Sequence, residues 1–234
     1  MPVYQLPEQY IFPPAELAEA NGLIGYGGDL APERLILGYQ RGIFPWYSEG
    51  QPILWFSPDP RYVLDPKEFR IQRSLKKRIK QEPFDIRINT AFEQVLEQCS
   101  SIPRPNQYGT WITTAMKEAY LELHRQGYAY SFEAWQNDRL VGGLYGIMQT
   151  GVFCGESMFH HQTNCSKLAM WALVNWLKRH NAHFIDCQLE NPYLTTLGAK
   201  LIPRSEFLTR LNTAQSYEIP NSMWAPQVLE YIYD

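Results

Sequence analysis

The sequence predicts an α+β fold, with a smaller N-terminal α/β domain followed by a mixed sheet that is completed through a helical crossover. Three observations carry this expectation. After Gly127 the apolar period changes from helical to alternating, and it stays so over three successive segments. An apolar helix pattern at 164–180 and a short apolar run at 183–188 follow. The order strand, strand, strand, helix, strand brings a late strand back to an earlier one through a crossover. Before residue 60 the chain is instead rich in Gly and Pro with scattered aromatics, and reads as a separate piece.

Each element has its own local reason. "GYGGDLAPERLILGYQRGIF" contains a helix of about a dozen residues, with Asp29 in the N-cap region, Pro32 in the first turn and Gly42 at the end. "GYGG" reads as a tight turn, because it lacks both the Gly-Lys-Ser/Thr ending and the GxGxxG spacing of phosphate loops. Residues 71–80 form a helix with Ile71, Leu75 and Ile79 on one stripe and basic side chains on the other faces. "CSSIPRPNQYG" reads as a linker. It divides the chain into an N-terminal domain at 1–62, a basic helix and connecting segment at 63–110, and a larger domain at 111–234. Residues 111–126 are an amphipathic helix, with Thr113 or Thr114 as N-cap and Gly127 as C-cap. "YAYSFEAWQ" is a strand, and "RLVGGLYGIM" and "VFCGESMF" are two more joined by a short turn. The helix at 164–180 is capped near Asn164 and ends in Lys178, Arg179 and His180; "HFIDCQ" is a short buried strand.

Composition narrows the class. Of the 234 residues 45% are hydrophobic and 14% aromatic, which excludes a disordered chain. No apolar run approaches the roughly 20 residues of a membrane helix, and no secretory signal is visible. The cysteines at 99, 154, 165 and 187 form no CxxC pair, so the simplest expectation is a reducing cytoplasm, without a zinc site or a disulfide framework. Net charge is -3, yet residues 67–80 carry seven Lys/Arg and one Glu. Arg70, Arg73, Lys76, Lys77, Arg78 and Lys80 are therefore candidates for phosphate contact with a polyanion.

The residues that can carry chemistry are few. Glu156 stands alone in "FCGESMF", and an unpaired buried carboxylate is costly. It needs a partner, or a cavity where a cationic ligand meets it. Asp186 and Gln188 are two apart on a strand, so they are expected to share a face, with Ile185 and Cys187 on the other. Asn191 follows just beyond. No G-x-S-x-G elbow, HxH or HExxH spacing occurs, and no metal site is expected. Trp46, Trp55 and Trp111 sit beside Gly and Pro, as core residues or as stacking platforms for a base.

The motifs "GGDLAPERLILGYQRGIFPWYSEGQPILWFSPDPR", "GTWIT", "VGGLYG", "FCGESMF", "SKLAM", "IDCQLENPYLTTLGA" and "IPR" follow one another as in the leucyl/phenylalanyl-tRNA–protein transferases, and the chain resembles that family from about residue 20 to 225. The resemblance implies a C-terminal domain of the GCN5-related N-acetyltransferase kind, although "FHHQTNCSKL" lacks the Gly-rich pyrophosphate loop of acetyl-CoA enzymes. It implies transfer of leucine or phenylalanine, and methionine less well, from aminoacyl-tRNA to an N-terminal Arg or Lys, which creates an N-degron. No cofactor is implied, and a cytoplasmic monomer without membrane contact is expected. In this resemblance Asp186 and Gln188 orient and deprotonate the attacking amine, Asn191 supports them, and Glu156 meets the cationic residue or its amine. Leu144, Phe153, Met158, Met170, Leu173 and Ile185 line the side-chain pocket. Leu144 stands where Met is expected and Leu173 where Phe is expected, which bears on donor preference. Trp46 and Trp111 resemble the tryptophans that hold the terminal adenosine, and the basic helix fits the acceptor stem.

Overall fold

The computed structural model describes residues 3–71, 73, 75–77, 84–102, 110–217 and 219–230. It is a mixed α/β structure with two sheets. The smaller holds β1 (Tyr4–Leu6), β2 (Leu23–Gly27), β3 (Phe44–Pro45) and β4 (Leu54–Phe56), in the order β1-β2-β4-β3. Helix α1 (Pro32–Gln40) joins β2 to β3. It is shorter than expected and starts one step later. Ala31 is at the N-cap, and Asp29 instead accepts from the Ala31 amide and the Arg34 Nε. Buried Arg34 also donates to the carbonyls of Pro7, Glu8 and Gln9, which ties down the N-terminal segment. Gly42, at φ 73°, turns the chain out of the helix as expected.

The larger sheet holds β5 (Arg61–Leu64), β6 (Asp85–Ile88), β7 (Ala129–Gln136), β8 (Arg139–Gln149), β9 (Val152–His160), β10 (Phe184–Gln188), β11 (Lys200–Ile202) and β12 (Gln227–Val228). Its order is β11-β5-β10-β9-β8-β7-β6-β12. Within it β9 and β10 run parallel, and the other pairs are antiparallel. Helices α2 (Phe92–Ser101) and α3 (Thr114–Arg125) precede β7, and α4 (Cys165–Arg179) makes the crossover between β9 and β10. Helices α5 (Pro192–Thr196) and α6 (Arg204–Ala214) follow. The Thr113 hydroxyl caps α3 by accepting the Met116 amide. Asn164 begins α4 in a left-handed conformation, φ 75°; its side chain makes no cap bond, and its carbonyl takes the Lys167 and Leu168 amides instead.

Two differences from the sequence expectation matter for the site. Besides its basic stretch, segment 63–110 supplies β6, α2 and half of β5. Of its basic stretch, residues 73 and 75–77 are helical, with Leu75 inward and Arg73, Lys76 and Lys77 outward; Arg78, Ile79 and Lys80 lie outside the described residues. The two sheets also share a core. One apolar cluster runs from Leu6 and Trp55 of the smaller sheet, through Tyr39 of α1 and Met116 and Tyr120 of α3, to Phe159 of the larger. Trp55 is therefore a core residue.

Helix α4 lies close on β8. A Cβ at Gly142 would stand 2.6 Å from the Cys165 Cβ and 2.8 Å from its carbonyl carbon. Gly142→Ala should therefore push α4 off the sheet and cost about 1–3 kcal/mol, read as a lower denaturant midpoint with an unchanged slope.

Candidate active site

Two neighbouring irregularities in the larger sheet create the site. Between β8 and β9 the register slips, so that Tyr145 faces Ser157 and Gly146 faces Gly155; Glu156 is the extra residue. Between β10 and β5, Asp186 faces Val63 and Gln188 faces Tyr62; Cys187 is the extra residue. Such bulges break strand alternation and re-aim side chains. Gln188 has φ 63°, left-handed for a non-glycine residue. Both bulges open on one cavity of about 1120 Å³. Its apolar lining includes Leu144, Phe153, Met158, Met170, Leu173 and Ile185. Loops of the smaller sheet and the start of α3 bring Trp46, which is 41% exposed, and half-buried Trp111 to the same cavity. Glu156, Gln188 and Asn191 line it as well.

The Glu156 carboxylate is held by neutral donors. Tyr39 donates to Oε1 at 2.8 Å, Tyr120 to Oε2 at 2.9 Å and the Gln188 Nε2 to Oε1 at 2.7 Å. The two tyrosine hydroxyls also stand 2.6 Å apart. A proton count follows. Two tyrosines and one carboxylate make three O···O contacts, but the hydroxyls hold only two protons. A third proton, on Glu156, completes the triangle. The electrostatics of the site agree. Burial pushes the Glu156 carboxyl up to about 7, against the three hydrogen bonds that favour its charged form. Burial, with the Glu156 charge beside them, holds Tyr39 and Tyr120 well above the usual phenol range. They stay protonated.

Asp186 is placed differently from the sequence expectation. It is 1% exposed and does not line the cavity; Cys187, expected on the opposite face from Gln188, does. The bulge at Cys187 is the physical reason, because one extra residue inverts the side-chain alternation. Asp186 instead pairs with buried Arg61, whose Nε and Nη2 donate to its two oxygens at 2.8 and 2.6 Å. Both carboxylate oxygens are thereby committed to the guanidinium, in a charge-assisted two-pronged contact. Its Oδ1 takes the Gln188 amide at 3.0 Å, so it holds the bulge. Arg61 also donates to the Gly42 carbonyl at 3.1 Å and lies between the rings of Phe44 and Phe207.

The remaining candidates sort simply. Asn191 caps α5, its Oδ1 accepting the Tyr193 amide. Arg70, Arg73, Lys76 and Lys77 do not line the cavity, and Lys76 lies over the Trp171 ring. Arg78 and Lys80 lie outside the described residues. Burial pushes the Cys154 and Cys187 thiols far up, so neither is a thiolate at neutral pH. Among the described residues no cluster suited to a metal ion is found. Sequence reasoning missed Tyr39, Tyr120 and Arg61. Arg61 and Tyr39 both lie in the long motif quoted above that ends in "SPDPR"; Tyr120 looks like an ordinary core residue of its helix and carries no local signal.

Comparison with known proteins is consistent over the whole length. Residues 63–212 match the family model "Leucyl/phenylalanyl-tRNA protein transferase", and residues 28–59 match the model of its N-terminal domain. The leucyl/phenylalanyl-tRNA–protein transferase of Pseudoalteromonas translucida is 56% identical, over 99% of this chain and 98% of that protein. That of Desulfatibacillum aliphaticivorans is 47% identical, over 96% and 97%. Among solved structures, L-PGS from Bacillus licheniformis is similar with a TM-score of 0.40 and 13% identity, covering 72% of this chain and 53% of that one.

Two outcomes test this geometry. Because the folded-state pKa of Glu156 is raised, its contribution to stability is full below the ordinary carboxylate range and is lost as pH rises through about 7. Wild-type stability should thus fall relative to Glu156→Gln across that window, in denaturant midpoints measured at a series of pH values. Arg61→Ala leaves a buried aspartate charge unpaired and should cost about 3–5 kcal/mol, by the same measurement.

Proposed function

The chain belongs to the leucyl/phenylalanyl-tRNA protein transferase family and is an aminoacyltransferase; we propose that it moves leucine or phenylalanine, and methionine less well, from aminoacyl-tRNA to the N-terminal Arg or Lys of an acceptor protein. One observation carries this reading. A single cavity joins two indoles, an apolar lining and a carboxylate–amide pair with room for one more proton. In this reading Trp46 and Trp111 hold the terminal adenosine. The apolar lining takes the amino-acid side chain. Leu144 and Leu173 set its shape and so the order of preference among donors.

The donor is an activated ester, so the enzyme has mainly to position an amine against it and manage one proton. The amine nitrogen attacks the ester carbonyl, the carbon–oxygen bond to the ribose breaks, and the ribose oxygen leaves with a proton. Glu156, not Asp186, takes the proton from the attacking ammonium. Two facts support it: Glu156 lines the cavity while Asp186 does not, and the tyrosine triangle is one proton short. An α-amino group of pKa near 8 facing a carboxyl near 7 makes this transfer nearly balanced. The Gln188 amide nitrogen is spent on Glu156, which leaves its amide oxygen to orient the amine. Asp186 holds Gln188 through its backbone, and Asn191 fixes the turn that follows. Glu190, exposed on the same cavity, offers a counter-charge to the acceptor's cationic side chain.

The basic stretch takes the acceptor stem by its phosphates, without reading sequence. The parallel β9–β10 pair crossed by α4, beside the antiparallel strands β6 to β9, supports a domain of the GCN5-related N-acetyltransferase kind. The product carries a destabilising N-terminus in a cytoplasmic degradation pathway, and the enzyme acts as a monomer. No helix among the described residues is long and apolar enough to cross a membrane.

The reaction is checked by transfer of radiolabelled leucine from leucyl-tRNA to peptides beginning with Arg or with Ala. Transfer to the Arg peptide alone is expected, and transfer to neither with tRNA still bound would leave an RNA-binding protein. A second measurement concerns the basic stretch. tRNA affinity should fall steeply with salt, and Lys77→Ala should make that fall shallower; a salt-insensitive affinity would contradict a phosphate-binding role.

A further inference from the structure

The cavity contains a cation that the reaction as described does not use. Among the described residues that line it, Lys167 is the one Lys or Arg. It is half-buried, with its Nζ 5.6 Å from the centre of the Tyr193 ring. Among the described residues no carboxylate forms an ion pair with it. Tyr193 lines the cavity too, so the Lys167 ammonium rests against an aromatic wall of the same cavity.

Position along α4 says what this cation faces. Lys167, Met170 and Leu173 recur at helical spacing, and all three line the cavity. From Leu173 to Lys167 is six residues, about 9 Å at 1.5 Å per residue. One helix face therefore runs from the apolar lining to a polar end made by Thr163, Asn164 and Lys167. An aminoacyl group seated on Met170 and Leu173 carries its ribose toward that end. The next group along the nucleotide is a phosphate. Arg70, Arg73, Lys76 and Lys77 do not line the cavity, so they do not serve this position.

We infer that Lys167 is the binding residue for the phosphodiester on the 5′ side of the donor's terminal adenosine. This rests on the aminoacyl-tRNA reading above. A charge-assisted contact of this kind, on a lysine already held by an aromatic face, sets the depth to which the tRNA end enters and so places the ester beside Glu156.

The test compares two minimal donors, the phenylalanyl esters of adenosine and of adenosine 5′-phosphate, with an Arg-initial peptide as acceptor. Wild type should favour the phosphorylated donor by roughly tenfold in kcat/KM. Lys167→Ala should bring the ratio close to one, Lys167→Arg should retain most of it, and Lys167→Glu should invert it. A wild-type ratio near one, or a ratio unchanged in Lys167→Ala while both donors are impaired alike, would overturn the assignment. If neither ester is used while leucyl-tRNA is, the same ratio is read from their inhibition constants against leucyl-tRNA. Failure of the wild type with leucyl-tRNA as well would instead overturn the donor reading.

Discussion

The buried pair between Arg61 and Asp186 is the interaction on which the site depends. It joins β5 to β10 through two short hydrogen bonds, and Arg61 reaches on to the Gly42 carbonyl where α1 leaves for β3. Three parts of the chain, distant in sequence, are thereby fixed to one guanidinium. One is the turn leading to Trp46. Another is β5, the strand between β11 and β10 in the larger sheet. The third is the β10 bulge, since the Asp186 carboxylate also takes the Gln188 amide. A buried ion pair contributes little net stability, because desolvation offsets the attraction. What it supplies here is geometry: Gln188 is held in a left-handed conformation that an unpinned strand would relax.

With Asp186 committed to structure, Glu156 is left as the group able to change its protonation. Its surroundings are arranged for that. Three neutral donors solvate the carboxylate, so it can be ionised inside a protein, and among the described residues no cation pairs with it. Burial and hydrogen bonding oppose one another, and the carboxyl is left at about 7. Asp186, whose charge acts on Glu156, illustrates the opposite choice: it is paired directly with a buried guanidinium. Two carboxylates in one neighbourhood thus take different roles through their partners alone.

Much of this was legible in the sequence, for identifiable reasons. The three strands, the crossover helix and the last strand followed from changes of period, and those signals are local. The cavity residues from Trp46 to Asn191 lay in motifs that the chain shares with its family. The face that Asp186 takes was not legible. Strand alternation puts it with Gln188, and one inserted residue at Cys187 overrides that rule. The partners of Glu156 were equally hidden. Tyr39 and Tyr120 come from α1 and α3, and either tyrosine fits an ordinary helix core until the larger sheet and the two helices are packed together. Segment 63–110 carries, beside its basic run, the short strand at 85–88, whose four residues offer little periodicity of their own.

The central claim is that the titrating carboxylate is Glu156 and that Asp186 is a positioning group. The most direct measurement is the pH dependence of kcat/KM for leucine transfer to an Arg-initial peptide, in wild type, Glu156→Gln and Asp186→Asn. The account predicts an acid limb near pH 7 in wild type. That limb should persist at a lower overall rate in Asp186→Asn, and in Glu156→Gln it should move up to the titration of the acceptor's own α-amine, at about pH 8. An acid limb unmoved in Glu156→Gln but shifted in Asp186→Asn would return the proton to Asp186 and contradict the account.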